Sequence, residues 1–228
     1  MTDISGMTAM ILAAGRGQRM RPLTDTIPKP LLPAGQQRLI EYHLLALAKA
    51  GVKQVVINHA HLGQMIVDIL GDGSAYGLQI QYSKEPDGAL ETGGGICQAL
   101  PLLMSDPFVA VNADIWCEYD YSQLPQTIES LAHLILVENP AHHVDGDFVL
   151  EHGMLHGGDG ERLTFSGIGV YHHALFADCQ PGESFPLAPL LRQAMAKDQV
   201  SGEQFSGNWW DIGSLERLEE LRQFLSSR

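Results

Sequence analysis

Met10-Ile11-Leu12-Ala13-Ala14-Gly15-Arg16-Gly17-Gln18-Arg19-Met20-Arg21-Pro22-Leu23-Thr24, followed by Pro28-Lys29-Pro30, is the stretch around which the chain is organised. An apolar run ends in small residues and two glycines, basic residues follow at intervals, and a lysine stands between two prolines. Glycines at 15 and 17 let main-chain amides close on an anion as a cluster, and Arg19 adds planar, charge-assisted donors. The same residues could form an ordinary basic turn between a strand and a helix. Lys29 favours the phosphate reading, because flanking prolines stiffen the segment and fix the direction of a long side chain. No Gly-Lys-Ser/Thr ending exists for a P-loop, and Met20 stands where a dinucleotide fingerprint needs its third glycine.

Working outward, Thr8 to Ala14 is a continuous apolar run that suits a parallel strand buried on both faces. Gly15 to Pro33 is too rich in Gly and Pro to be helical throughout. Leu39 to Ala48 has helical spacing and ends at Gly51; Gln54 to Asn58 is β-branched; Leu62 to Leu70 is helical up to Gly71-Asp72-Gly73; Leu78 to Tyr82 alternates like a strand. A glycine-rich turn at Thr92 to Gly95, a helix from Ile96 to Leu103 and a strand at Phe108 to Val111 continue the alternation. This order predicts an α/β fold, Rossmann-like, with a mostly parallel sheet flanked by helices.

After Asp114 the pattern loosens. Leu134 to Val137 and Thr164 to Tyr171 read as strands, and Asp147 to Leu150 with Met154 to His156 as a hairpin across Glu151-His152-Gly153. These predict antiparallel edge strands walling one side of a cleft. Leu187 to Met195 is helical, Val200 to Phe205 is a short strand, and Ser214 caps a final helix with Leu215, Leu218, Leu221 and Leu225 inward. Without linker, repeat or low-complexity segment, residues 1–228 are expected to form a single domain.

Composition bounds the partners. The formal charge of -13, from 14 Lys and Arg against 27 Asp and Glu, argues against nucleic acid and anionic membrane. A phosphorylated ligand then needs basic residues concentrated locally, as at Arg16, Arg19, Arg21 and Lys29. Three cysteines, widely spaced, suggest neither a disulfide framework nor a zinc knuckle. No apolar run reaches membrane-span length, and residues 1–8 lack a signal-type pattern, so a cytoplasmic location is expected. Among ten histidines no set has spacing suited to a metal.

Three further constellations carry chemistry. Asp114 lies two residues beyond an apolar strand, at the carboxyl edge of the sheet, where Mg²⁺ bridging phosphates is held by one or two acids; a lone Asp there also serves as a cap. Asp211, in Trp209-Trp210-Asp211-Ile212-Gly213, is a second acid that would otherwise serve the start of the last helix. Only together do they favour a metal site. Glu85-Pro86-Asp87-Gly88-Ala89-Leu90-Glu91-Thr92-Gly93-Gly94-Gly95 allows a flat group such as a nucleobase to approach the main chain, or is a flexible turn.

Taken together, Leu12-Ala13-Ala14-Gly15, Gly17, Arg19-Met20, Pro22-Leu23-Thr24, Pro28-Lys29-Pro30, Leu90-Glu91-Thr92-Gly93-Gly94, Asn112-Ala113-Asp114 and Trp210-Asp211-Ile212-Gly213 resemble the sugar-1-phosphate nucleotidyltransferases along nearly the whole chain. The resemblance implies a GT-A-like fold and small-molecule substrates: a nucleoside triphosphate, UTP above all, and a sugar 1-phosphate, N-acetylmuramic acid α-1-phosphate above all, used in cell-wall recycling. Mannose-1-phosphate guanylyltransferases are the relatives most easily confused with this pattern. It further implies catalytic roles for Arg19 and Lys29, a nucleotide site of Leu12, Ala13, Ala14, Gly15, Gly17, Glu85, Thr92, Gly93 and Asn112, sugar contacts at Asn139, Thr164 and Gly167, and Mg²⁺ at Asp114 and Asp211. A monomer or small homo-oligomer is expected, without an appended hexapeptide-repeat acetyltransferase domain. Ala113 replaces a glycine common before the metal-binding Asp, and the Glu-Lys-Pro element that supplies a second lysine to the sugar phosphate is absent, with Arg162 the available substitute. The rivals are a catalytically silent nucleotide-sugar sensor and a nicotinamide-dependent Rossmann enzyme.

Overall fold

The computed structural model describes residues 4–86 and 88–228; Asp87 of the glycine-rich segment lies outside them. Strands β1 (Thr8–Leu12), β4 (Gln54–His59), β5 (Gln79–Lys84) and β6 (Phe108–Asn112) run parallel, in the order β5-β4-β1-β6. The apolar runs of β1, β4 and β6 are continuous because both faces are covered, whereas β5, at the edge of the sheet, alternates. Ala9, Ile11, Val55, Ile57, Val109 and Val111 enter one core cluster, while the alternating Met10, Val56, Phe108 and Ala110 enter another. Helices α1 (Leu39–Lys49) and α2 (Gly63–Leu70) pack on the first face, through Ile40, Leu44, Leu47, Ile66 and Leu70. Helices α3 (Glu91–Ala99) and α4 (Leu187–Met195) pack on the second, through Ile96, Ala99, Leu187, Leu191 and Met195.

The sheet continues to nine strands through β11 (Arg162–Tyr171), β8 (Ala132–Val137), β12 (Val200–Gln204), β10 (Met154–His156) and β9 (Phe148–Glu151). β8 and β12 keep the parallel direction, whereas β11 and β10 run against their neighbours. The sheet is thus mostly parallel with antiparallel additions, as expected. The stretch expected to be an edge strand, Thr164 to Tyr171, instead lies in the interior, between β6 and β8. Its residues Ser166 to Tyr171 are all buried, which an edge position could not supply. β9 and β10 form the expected hairpin, with His152 and Gly153 both at positive φ, 51° and 79°, the backbone demanded by a two-residue turn.

Two small pairings complete the chain. Strands β2 (Pro33–Ala34) and β3 (Gln37–Arg38) form a minimal hairpin, and β7 (Ile115–Cys117) pairs antiparallel with β13 (Trp209–Asp211). Helix α5 (Leu215–Ser226) closes a third apolar cluster with Trp116, Met20 and Leu32, through Leu218 and Leu221. Ser214 caps it by accepting from the Arg217 amide. Leu215, expected inward, is exposed: it is the first helical residue and precedes the turn that reaches the cluster. The expected glycine-rich turn at Thr92 to Gly95 is likewise corrected, because these residues belong to α3.

Candidate functional site

The register of the parallel strands positions the site. Leu12, at the end of β1, is paired with Asn58 of β4 and Asn112 of β6, so three strands deliver their carboxyl ends to one level. A cleft opens there, where open parallel sheets bind ligands. Its lining includes Leu12, Ala13, Ala14, Gly15, Gly17, Lys29, Glu85, Thr92, Asn112 and Asp114, all singled out from sequence. It also includes Pro30, Asn58, Ala89, Glu91 and Ala113. Asn58 was missed as a site residue, although the logic applied to Asp114, a polar residue at the end of an apolar strand, would have found it.

The glycine loop is built by its own side chains. Gly17 adopts φ 65°, and a Cβ there would stand 3.0 Å from Cγ2 of Thr24, whose hydroxyl donates to the Gly17 carbonyl at 2.8 Å. Arg16 donates to the Thr24 carbonyl at 2.7 Å and to Asp25 at 2.5 Å, and Arg21 to the same Asp25 oxygen at 2.9 Å. These contacts, led by Arg16, hold the Asp25 carboxyl below its ordinary range. Two of the three loop arginines are therefore used in shaping the loop. Arg19 makes no ion pair among the described residues and lines a depression that shares Gly17, Lys29 and Asp114 with the cleft and adds Gly213. The main-chain N–H groups of Ala14 to Gly17 donate to no protein acceptor among the described residues, as an anion-binding cluster requires.

Lys29 begins a short 3-10 turn between Pro28 and Pro30, and its buried side chain reaches Asp114 Oδ2 at 2.6 Å. The Asp114 side chain is 43% exposed, so the pair sits at the mouth of the cleft with its acid open to ligand. Asp211 is adjacent through the backbone: the Ile212 amide donates to the Asp114 carbonyl at 2.7 Å. Its side chain, however, is held by Arg217, whose Nη1 lies 2.6 and 2.5 Å from the two carboxylate oxygens. His142 lies 2.9 Å from Asp211 and also meets Arg217. An ideal Cβ on Gly213 would stand 2.0 Å from Arg217 Nη2 and 3.0 Å from Arg19 Nη2, so the glycine lets two guanidinium groups converge. Arg217 was not picked out from sequence, because nothing in its helical surroundings marks it.

Among the described residues, no group of three or more His, Cys, Asp or Glu is arranged for a metal. Two hard carboxylates, Asp114 in the turn between β6 and β7 and Asp211 at the end of β13, nevertheless suit a divalent cation that takes its remaining oxygens from phosphate and water. For Asp211 this requires exchange of the Arg217 contact.

The glycines of α3 have another occupation than a flat ligand. A Cβ on Gly93 would stand 2.4 Å from the Phe185 ring, one on Gly94 2.2 Å from the Glu183 carbonyl, and one on Gly95 2.6 Å from Glu85 Oε1. They allow α3 to pack against the 183–185 segment and the Glu85 carboxylate, and Gly93 does not line the cleft. Of the residues expected to contact the sugar, Gly167, at φ 87°, abuts Asn112 across β6 and β11. Asn139 and Thr164 are bonded to each other at 2.8 Å, and the Asn139 amide group also donates to the Arg162 and Val144 carbonyls. Asn139 and Arg162 line a separate depression with Glu138 and Glu161 that shares no lining residue with the cleft.

Comparisons with known proteins agree with this fold. The Nucleotidyl transferase family model matches residues 8–143. An N-acetylmuramate α-1-phosphate uridylyltransferase of Neisseria meningitidis serogroup B is 52% identical over 226 residues, covering 95% of this chain and 97% of that one. One from Caulobacter vibrioides is 33% identical, covering 90% and 91%. Among solved structures, a UDP-glucose pyrophosphorylase complexed with UDP-glucose superposes with a TM-score of 0.77 at 20% identity, covering 97% of this chain and 99% of that one. An inositol-1-phosphate CTP transferase from T. maritima does so at 0.75 and 18%, covering 96% and 95%.

Proposed function

The chain belongs to the nucleotidyl transferase family, and from that premise we propose that it transfers the uridylyl group of UTP to N-acetylmuramic acid α-1-phosphate, giving the nucleotide sugar and pyrophosphate. One observation carries the choice of substrates: the 52% identity to a relative of that name extends over nearly the full length of both chains. A guanylyltransferase reading has less support, since a mannose-1-phosphate guanylyltransferase of Mycobacterium tuberculosis matches over 51% of this chain and 32% of its own length. The setting we propose is cell-wall recycling in the cytoplasm, with residues 1–228 acting as one domain and as a monomer or small homo-oligomer. Three free cysteines suit a reducing compartment, and no helix among the described residues is long and apolar enough to cross a membrane.

The reaction is a single in-line displacement. A phosphate oxygen of the sugar 1-phosphate attacks the α-phosphorus of UTP, the bond to the β-phosphate bridging oxygen breaks, and pyrophosphate leaves with the electron pair. The nucleophile is anionic at neutral pH, so no general base is needed and the barrier is repulsion and alignment between anions. Lys29 lines both the cleft and the Arg19 depression, and at that junction its buried ammonium would meet both reacting phosphates. Arg19 is available to the departing pyrophosphate, and the Ala14 to Gly17 amides to the triphosphate. Mg²⁺, held by Asp114 and Asp211, would neutralise phosphate charge and orient the triphosphate. Release of Asp114 from Lys29 and of Asp211 from Arg217 on substrate entry would free the lysine and both acids together.

The test is pyrophosphate release from a matrix of UTP, GTP, CTP and dTTP against several sugar 1-phosphates. The expected result is a clear preference for UTP with N-acetylmuramic acid α-1-phosphate. Preference for GTP with mannose 1-phosphate would move the assignment, and binding without release in every combination would favour the sensor.

A further inference from the structure

Asn58 is the penultimate residue of β4 and Glu85 follows β5, so adjacent parallel strands bring two polar side chains together under the cleft floor. Both are buried, with 2% and 3% exposure. The Ala13 amide donates to Asn58 Oδ1 at 2.7 Å, Asn58 Nδ2 donates to Glu85 Oε1 at 2.6 Å, and the Leu90 amide donates to Glu85 Oε2 at 2.7 Å. Gly95 leaves room for this chain of bonds, since a Cβ would stand 2.6 Å from Glu85 Oε1 and 2.7 Å from Asn58 Nδ2. Its two ends are different walls of the cleft. Ala13 belongs to the glycine loop, whereas Leu90 lies between Ala89 and Glu91, lining residues held at φ 60° and 58°.

A buried carboxylate is costly, and burial pushes the Glu85 carboxyl up while the bonds from Leu90 and Asn58 pull it down. Space filling alone would be met by an apolar pair. Residues in left-handed conformations persist only where their surroundings over-determine them, and Glu85 supplies that constraint at Leu90. We propose that Asn58 and Glu85 are positioning residues that lock the phosphate wall of the cleft to the opposite wall at 89–92, so that the nucleoside triphosphate meets a preformed site. Both Glu85 oxygens already accept hydrogen bonds within the protein, and the part the proposal gives Glu85 in nucleotide recognition is exerted through Ala13 and Leu90. The proposal rests on the reading of this cleft as the UTP site.

The test compares the wild type with Glu85→Gln, Asn58→Asp and the double variant carrying both. Glu85→Gln sets donor against donor at one link, and Asn58→Asp sets carboxylate against carboxylate. In the double variant all three links return: the new amide donates to the new carboxylate, that carboxylate still accepts from Ala13, and the amide oxygen accepts from Leu90. Each single change should raise KM for UTP about tenfold or more, the usual scale for a broken buried hydrogen bond, and leave KM for the sugar 1-phosphate within about twofold. The double variant should recover most of the loss. Unchanged KM for UTP in the singles, equal increases in both KM values, or a double variant worse than either single would overturn the proposal. Should a single fail to fold, the double variant decides: KM for UTP near wild type supports the lock, and a tenfold increase at native thermal stability overturns it. Calorimetric titration with UTP reads the same effect without turnover. A wild type that binds UTP but yields no nucleotide sugar would therefore remove the functional assignment and leave the lock testable.

Discussion

Replacing Lys29 by Met removes the ammonium from the cleft while keeping most of its buried stem, and the structure separates the effect on rate from the effect on folding. The lysine is 8% exposed and its ammonium is 2.6 Å from an Asp114 carboxylate that remains 43% exposed. On losing its partner, Asp114 is therefore still solvated, and the pair contributes at most about 1 kcal/mol to stability. For a chain of this size that corresponds to a melting shift of about 2–4 °C. In the proposed reaction the same ammonium, held beside the cleft between Pro28 and Pro30, would face two phosphates. Removal of one such preorganised group costs about 10²–10³ in turnover, or about 3–4 kcal/mol of transition-state stabilisation. The assay is pyrophosphate release at saturating UTP and sugar 1-phosphate, alongside thermal unfolding of the same preparation. Turnover within about threefold of wild type in a folded variant would refute the role given to Lys29.

Other outcomes follow from the same geometry. Asp114→Asn and Asp211→Asn should each shift the Mg²⁺ dependence of the rate to higher metal concentration, and an unchanged titration in both would remove the two-acid site. Gly17→Ala forces a side chain into φ 65° against Thr24 and should cost about 1–2 kcal/mol in denaturant unfolding, with a raised KM for UTP. His43, fully buried between the Tyr121 hydroxyl and the Ile115 carbonyl, is lowered by burial to about 4. The unfolded chain takes up this proton near pH 6.5 and the folded one only near 4, so stability should fall as pH drops across that window, approaching about 3 kcal/mol at its lower end. His43→Gln should flatten that part of the profile in pH-resolved unfolding.

The parallel half of the sheet was legible because strands buried on both faces need uninterrupted apolar runs, and Thr8 to Leu12 and Phe108 to Val111 have them. That the glycine loop and Asp114 line one cleft was legible because both follow apolar strands whose carboxyl ends lie at the same edge of a parallel sheet, and Lys29 because its flanking prolines fix its direction. What escaped depends on contacts distant in sequence. The β7 and β13 pairing joins Ile115 to Asp211, and neither strand is long enough to show periodicity. Gly93, Gly94 and Gly95 read as a turn from their poor helix propensity, whereas packing against Phe185, Glu183 and Glu85 selects a helix that only glycine permits. Arg16 and Arg21 counted toward a basic cluster until Asp25 was found to engage both. Asn139 and Thr164 were expected at the sugar from the resemblance, and their bond to each other could not be read from residues 25 positions apart.

The central claim, a single displacement at the α-phosphorus carried out in this cleft, is tested most directly by the stereochemistry of the product. UTP made chiral by sulfur at the α-phosphorus would be converted by the purified protein with N-acetylmuramic acid α-1-phosphate, and the configuration of the nucleotide sugar determined by phosphorus NMR. One in-line attack predicts inversion at that phosphorus. Retention would require two displacements through a covalent intermediate and would contradict the mechanism.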